Sequence, residues 1–149
     1  MVSAIALANT ILKRAFKENI PVTPMKLQKL IYFVYRQFLQ DYGKQILSDN
    51  FLVWQYGPVL QSVYDEFKSF RANQITRFAK DAKNNVYIVN ESINKELSSV
   101  ITDVWDKYKQ YSGIYLSELT HRPGSAWRKA REKNDEILSI EDIKNEIAC

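Results

Sequence analysis

Thr23-Pro24-Met25-Lys26-Leu27-Gln28-Lys29-Leu30-Ile31-Tyr32-Phe33-Val34-Tyr35-Arg36-Gln37-Phe38-Leu39-Gln40-Asp41-Tyr42-Gly43 is the stretch that decides the fold. Leu27, Leu30, Ile31, Val34 and Phe38 recur at helical spacing, and Tyr32, Phe33, Tyr35, Leu39 and Tyr42 widen that stripe. So wide an apolar surface predicts a central helix from Met25 to Tyr42, touched by neighbours on several sides. Thr23 is a good N-cap, and Pro24 fits the first helical position, where its missing N–H costs nothing. Gly43 suits the left-handed residue that closes such a helix.

Working outward, residues 2–18 repeat the pattern with Ile5, Ala8, Ile11, Leu12, Ala15 and Phe16, and their basic last turn suits a helix C-terminus. Phe51-Leu52-Val53-Trp54-Gln55-Tyr56 is aromatic and β-branched, which predicts a short strand over 51–56. On such a strand Trp54 and Tyr56 share a face. Gly57-Pro58 breaks it, and Pro58 is expected to launch a helix reaching Phe70. Residues 74–79 and 86–89 have the composition of a hairpin, although the loop between them is long. With 51–56 they would make a small sheet on the bundle. Further helices are expected over 92–111, ended by Ser112-Gly113, over 114–121, after Ser125, and after Ser139 as cap. The whole reads as one domain over 1–149: a mainly α, compact helical bundle with a two- or three-stranded β element.

Composition narrows the function. The 149 residues are 46% hydrophobic and 26% charged, with only four glycines and four prolines, which excludes whole-chain disorder and disfavours a β-sandwich. Cys149 is the single cysteine, so no intrachain disulfide and no cysteine-based zinc site is expected. No apolar run approaches the ~20 residues that span a bilayer. Met1 to Ala8 lacks the features of a secretory signal. A cytoplasmic protein without membrane attachment is the expectation.

Catalytic patterns are missing: there is no GxSxG, no glycine-rich phosphate loop and no HExxH. His121 is the only histidine, and no carboxylates cluster around it in sequence. It is expected to play a structural part, its ring bonded to the carbonyls of a helix end or to a buried partner. No enzyme, metal or cofactor is predicted.

Residues 1–80 carry 11 basic and 5 acidic residues, a balance of +6, against 10 and 12, or −2, for residues 81–149. A basic half can serve nucleic acid or an acidic protein partner. The apolar helix after Pro24 is a poor groove reader, because its N-terminal end offers little beyond Lys26 and Lys29. Trp54, Tyr56, Gly57 and Pro58 form a denser signal, since Trp, Tyr and Arg supply most binding hot spots. These four, with Lys26 and Lys29, are the candidate partner-binding residues; the alternative is that Trp54 and Tyr56 are core aromatics pinning the strand to the bundle.

Four blocks of the chain, in order, resemble the Panacea domain of SocA-like antitoxins and GepA-type phage-associated proteins. Pro24-Met25-Lys26-Leu27-Gln28-Lys29-Leu30-Ile31-Tyr32 is similar to its opening KLQKLLY block. Trp54-Gln55-Tyr56-Gly57-Pro58-Val59, followed by Tyr64, is similar to its W-x-Y-G-P-V block. Leu119-Thr120-His121, with Trp127 and Ala130 beyond, and Leu138 to Ile143 match its remaining blocks. Ala126 stands where proline is more usual. The resemblance implies a mostly helical antitoxin that neutralises a cognate protein toxin by direct binding, or an adaptor that hands its toxin to an intracellular protease. A DNA-binding regulator of its own operon is the alternative. Motif residues Leu27, Leu30, Tyr32, Tyr64, Thr120, His121 and Trp127 are expected to be structural, because a domain that meets many toxins should keep its scaffold and vary its contacts.

Overall fold

The computed structural model describes residues 1–147; Cys149 lies outside the described residues. Two helices open the chain, α1 (Ala4–Glu18) and α2 (Pro24–Tyr42). Ser3 caps α1, accepting from the Ala6 N–H, and Thr23 caps α2, accepting from the Lys26 N–H. Gly43 closes α2 at φ 68°, its N–H donating to the Leu39 carbonyl. The expected bounds of α2 hold because caps and stripe agree.

A hairpin follows: β1 (Leu52–Trp54) and β2 (Gly57–Val59), antiparallel, with Trp54 opposite Gly57 across the Gln55-Tyr56 turn. The single strand expected over 51–56 is therefore a strand and a turn. Pro58 lies inside β2 and does not start a helix; α3 (Gln61–Phe67) begins three residues later and continues as a 3₁₀ turn to Phe70. Proline's missing N–H is tolerated in so short a two-stranded element. The outer edge of β1 is covered by the chain at 136–138: the Val53 N–H donates to the Glu136 carbonyl, and Leu52 bridges Ile137.

The expected hairpin at 74–79 and 86–89 does not form. Neither segment is a strand: the Ile75 N–H donates to the Val22 carbonyl at 2.8 Å, and other backbone groups of the two segments pair with side chains of α1. Asn9 donates to the Ala79 and Tyr87 carbonyls at 3.1 and 3.0 Å and accepts from the Ala79 N–H. The Val89 N–H donates to the Thr10 hydroxyl at 2.8 Å. Two fully buried polar side chains thus stand in for a neighbouring strand and meet the hydrogen-bond demand of buried backbone.

The remaining helices are α4 (Lys95–Tyr108), α5 (Gly113–Thr120), α6 (Ala126–Glu132) and α7 (Ile140–Lys144). Ser112 and Gly113 do not merely end α4. Ser112 caps α5, and Gly113 begins it where a Cβ would come within 2.9 Å of the Lys26 backbone nitrogen. Ser125 and Ser139 cap α6 and α7 as expected. α2 is the hub, packed against α1, α3, α4, α5, α7 and β2. Leu27, Leu30, Ile31, Tyr32, Phe33, Val34 and Tyr35 are all buried, so its wide stripe is matched by neighbours around most of its girth. Among the described residues no helix is long and apolar enough to cross a membrane.

Candidate functional site

Three of the four sequence blocks meet at the N-terminal half of α2. Gln28 holds the end of the hairpin: its amide donates to the Leu60 carbonyl and accepts from the Leu60 N–H, at 3.1 and 2.9 Å. The Lys29 ammonium donates to the Pro58 carbonyl at 3.2 Å. From the other side, the Ser117 hydroxyl of α5 donates to the Tyr56 carbonyl, and the Trp127 indole of α6 donates to the Trp54 carbonyl at 2.7 Å. The hairpin is thus tied to the bundle by side chains at every second carbonyl from Trp54 to Leu60.

Gly57 makes this closeness feasible. It sits at φ 113°, and a Cβ there would fall 2.6 Å from Thr120 Oγ1 and 2.7 Å from Lys29 Cε. Only glycine suits both the dihedral and the space. Thr120 itself turns its hydroxyl to the Ser117 carbonyl at 2.6 Å.

His121 stacks on Trp127, ring centroids 3.9 Å apart, while Arg131 lies over the other partner of that stack, 5.0 Å from the Trp127 ring. The expected bond from the imidazole to helix-end carbonyls is not made. Arg128 takes the His121 carbonyl instead, through Nε and Nη2 at 2.9 and 2.6 Å, and His121 Nε2 is buried without a hydrogen-bond partner. Burial first, then the positive charges of Lys29, Arg128 and Arg131, hold the imidazole below its usual pKa.

On the solvent side the same elements enclose a groove of about 660 Å³. Trp54 and Tyr64 meet edge to face at 4.7 Å on one wall, and Met25, Val63 and Phe67 supply further apolar surface. Lys29 lines it from beneath, and Lys68 and Arg71 stand at its rim; no acidic side chain lines it among the described residues. Tyr56, 57% exposed at the hairpin turn, forms part of the lip.

Lys26 and Lys29 do not form the exposed basic face that a charge reading of the sequence suggests. Lys26 is 6% and Lys29 1% exposed, and Arg36 on the same helix is 3% exposed. The long stems of both lysines are packed among apolar neighbours, as snorkelling residues allow. Lys26 carries its ammonium to the Lys109 carbonyl at the end of α4, and burial lowers its pKa. Lys29 has no carboxylate within ion-pair distance among the described residues, and burial brings its ammonium down to about 7. Gly57 and Pro58 are also buried, so of the six candidate binding residues only Trp54 and Tyr56 keep appreciable solvent exposure, while Lys29, though buried, lines the groove.

Sequence reasoning missed the opposite wall. Arg71 sits at φ 55°, ψ −119°, the first central position of a type II′ turn closed by the Asn73 N–H on the Phe70 carbonyl at 2.9 Å. Glycine is the usual residue there, and a side chain in so sparsely populated a region costs about 1–3 kcal/mol. Nothing in Phe70-Arg71-Ala72-Asn73 announces a turn of that kind.

These three blocks and the groove they build define a helical domain whose features match a known family. The antitoxin SocA-like, Panacea domain profile matches residues 27–128, and the chain belongs to this family. It is 36% identical over 129 residues to the protein named antitoxin SocA of Caulobacter vibrioides (strain NA1000 / CB15N), an alignment that covers 85% of this chain and 69% of the relative. No solved structure matches.

Proposed function

We propose that this chain is an antitoxin that acts in the cytoplasm by binding a cognate protein toxin directly and holding it inactive, without chemistry of its own. Membership of an antitoxin family supports the role. The observation that carries the binding reading is the groove, in which the family's blocks place half-exposed aromatics beside unneutralised positive charge. Aromatic and basic side chains of this kind anchor protein interfaces. An interface of ordinary size buries about 1,600 Å² in total, more than the groove alone, so the hairpin turn and the rim take part. Burial of Lys26, Lys29 and Arg36 removes three of the eleven positive charges on which a DNA-binding reading of residues 1–80 depends.

The test is co-expression with the product of the neighbouring gene. Growth should be restored, and the two proteins should purify as a stoichiometric complex. Persisting toxicity with both proteins well expressed would refute the reading. Toxin abundance separates the modes: steady or raised levels mean sequestration, whereas a protease-dependent fall means delivery for degradation.

A further inference from the structure

The groove is one-sided in charge. Most of its lining is apolar and aromatic, Gln28 and Gln55 add polar amides, and the charged side chains lining it are Lys29, Lys68 and Arg71. Lys68 has only a distant exposed neighbour, Asp65 at 3.8 Å, and neither Lys29 nor Arg71 has an ion-pair partner among the described residues. An ammonium offers three donors, and that of Lys29 gives one to the Pro58 carbonyl. A buried cation without a counterion is costly for a fold to keep. Arg71 adds a second cost, a strained backbone that glycine would relieve. Strain of this sort gathers at binding sites, and here it falls on the residue that brings positive charge to the rim.

We infer that the groove receives an acidic–apolar peptide segment of the partner protein, with a large apolar side chain packed beside Trp54 and Tyr64 and an adjacent carboxylate drawn to Lys29, Lys68 and Arg71. This rests on the reading of the chain as a protein-binding antitoxin and names the chemistry the binding surface selects. The groove volume lies within the ~300–1,000 Å³ range of sites that engulf compact ligands, enough for a few side chains. Lys68 and Arg71, joined by Lys29 in its protonated form, supply the complement to the carboxylate.

The experiment pans a random dodecapeptide phage library on the full-length protein. Enriched sequences should place Asp or Glu beside Trp, Phe, Tyr or Leu. Synthetic versions should lose affinity by about tenfold or more on Lys29→Met and on the Lys68→Glu/Arg71→Glu double variant. Replacing the peptide Asp by Asn should cost the same on the natural protein and little on Lys29→Met, as coupled partners require. Lys29→Met keeps the volume of the side chain, and the rim positions are exposed, so circular dichroism and melting confirm that each variant is folded. A basic or uncharged consensus, indifference to Lys29→Met, or no enrichment above background would overturn the inference. So would binding of free mononucleotides with the same Lys29 dependence and no peptide enrichment. Because the panning needs no toxin, its failure leaves the antitoxin reading standing. Peptide binding alongside failed neutralisation would instead sink the antitoxin reading.

Discussion

Lys29 and Arg36 lie on the same helix, two turns apart, and both are withdrawn from solvent. Their surroundings are opposite. Arg36 donates to Glu146 at 2.5 Å and its guanidinium lies over the Phe33 ring at 4.7 Å. Glu146 also accepts from the Tyr32 hydroxyl and the Ala126 N–H, at 2.9 and 2.8 Å. The paired carboxylate raises the Arg36 pKa against the desolvation that would lower it, and desolvation with the Glu146 charge pushes the Tyr32 phenol well up. Lys29 has only a carbonyl, and burial alone lowers it. One end of α2 is an ion pair closed within the chain; the other is a cation left open toward a groove. Arg36 keeps its buried charge through a partner in the chain, whereas Lys29 meets its burial by a lowered pKa.

The largest effect should come from breaking the closed end. Glu146→Ala strands Arg36 in the interior and frees the Tyr32 hydroxyl and the Ala126 N–H, and should cost about 3–5 kcal/mol in urea denaturation. A loss under ~1 kcal/mol would mean that the pair is not buried in solution.

Gly57→Ala tests the open end through its backbone. With φ at 113° and a Cβ driven against Thr120 and Lys29, it should cost about 1–3 kcal/mol or more and splay the hairpin from α5. Thermal melts and loss of the Trp54–Trp127 tie, read by indole NMR shifts, would report it.

Lys29→Met should behave opposite to Glu146→Ala, being neutral or stabilising at neutral pH. The sign follows from linkage. The folded protein holds Lys29 near 7, below its ordinary 10.5, so between these values the unfolded chain binds more protons and stability rises with pH. The burial penalty is complete below pH 7. Between pH 7 and 9.5 the natural protein should gain stability relative to Lys29→Met at up to ~1.4 kcal/mol per pH unit. Parallel pH profiles for the two proteins would break the comparison.

Arg71→Gly should give the smallest change, a gain of about 1 kcal/mol as the turn relaxes. If neutralisation weakens in the same variant, stability and binding are in opposition at this residue.

The helices were largely legible because local signals agreed. Thr23-Pro24, Ser125 and Ser139 announce starts, Gly43 announces an end, and the stripe of α2 names the hub. The hairpin was misread because Gly57-Pro58 carries two messages. In isolation it reads as a strand break and a helix start, whereas its meaning lies in Thr120 and Lys29, which press on Gly57 from distant parts of the chain. Residues 74–79 and 86–89 have strand composition, yet Asn9 and Thr10 satisfy their backbones from within a helix that looked merely amphipathic. For the site, Trp54 and Tyr56 stand out as aromatics on one face, but alternation alone does not separate core from contact surface; the structure leaves Trp54 partly and Tyr56 57% exposed. Lys26 and Lys29 were noticed for the wrong reason, as surface charge. Arg71 and Glu146 were invisible, one because its dihedral defies its residue type, the other because a single glutamate in a polar stretch gives no hint of a partner 110 residues earlier.

That separation also sets an order of events in the cell. Synthesis proceeds at about 5–20 residues per second, so Arg36 leaves the peptidyl-transferase centre roughly 5–20 s before its counterion is made. Over that interval α1 and α2 can coil, but the later elements that bury Arg36 and supply its counterion are still to come. Closure of the domain is therefore a late step, timed by translation and not by the helical strength of its N-terminal half.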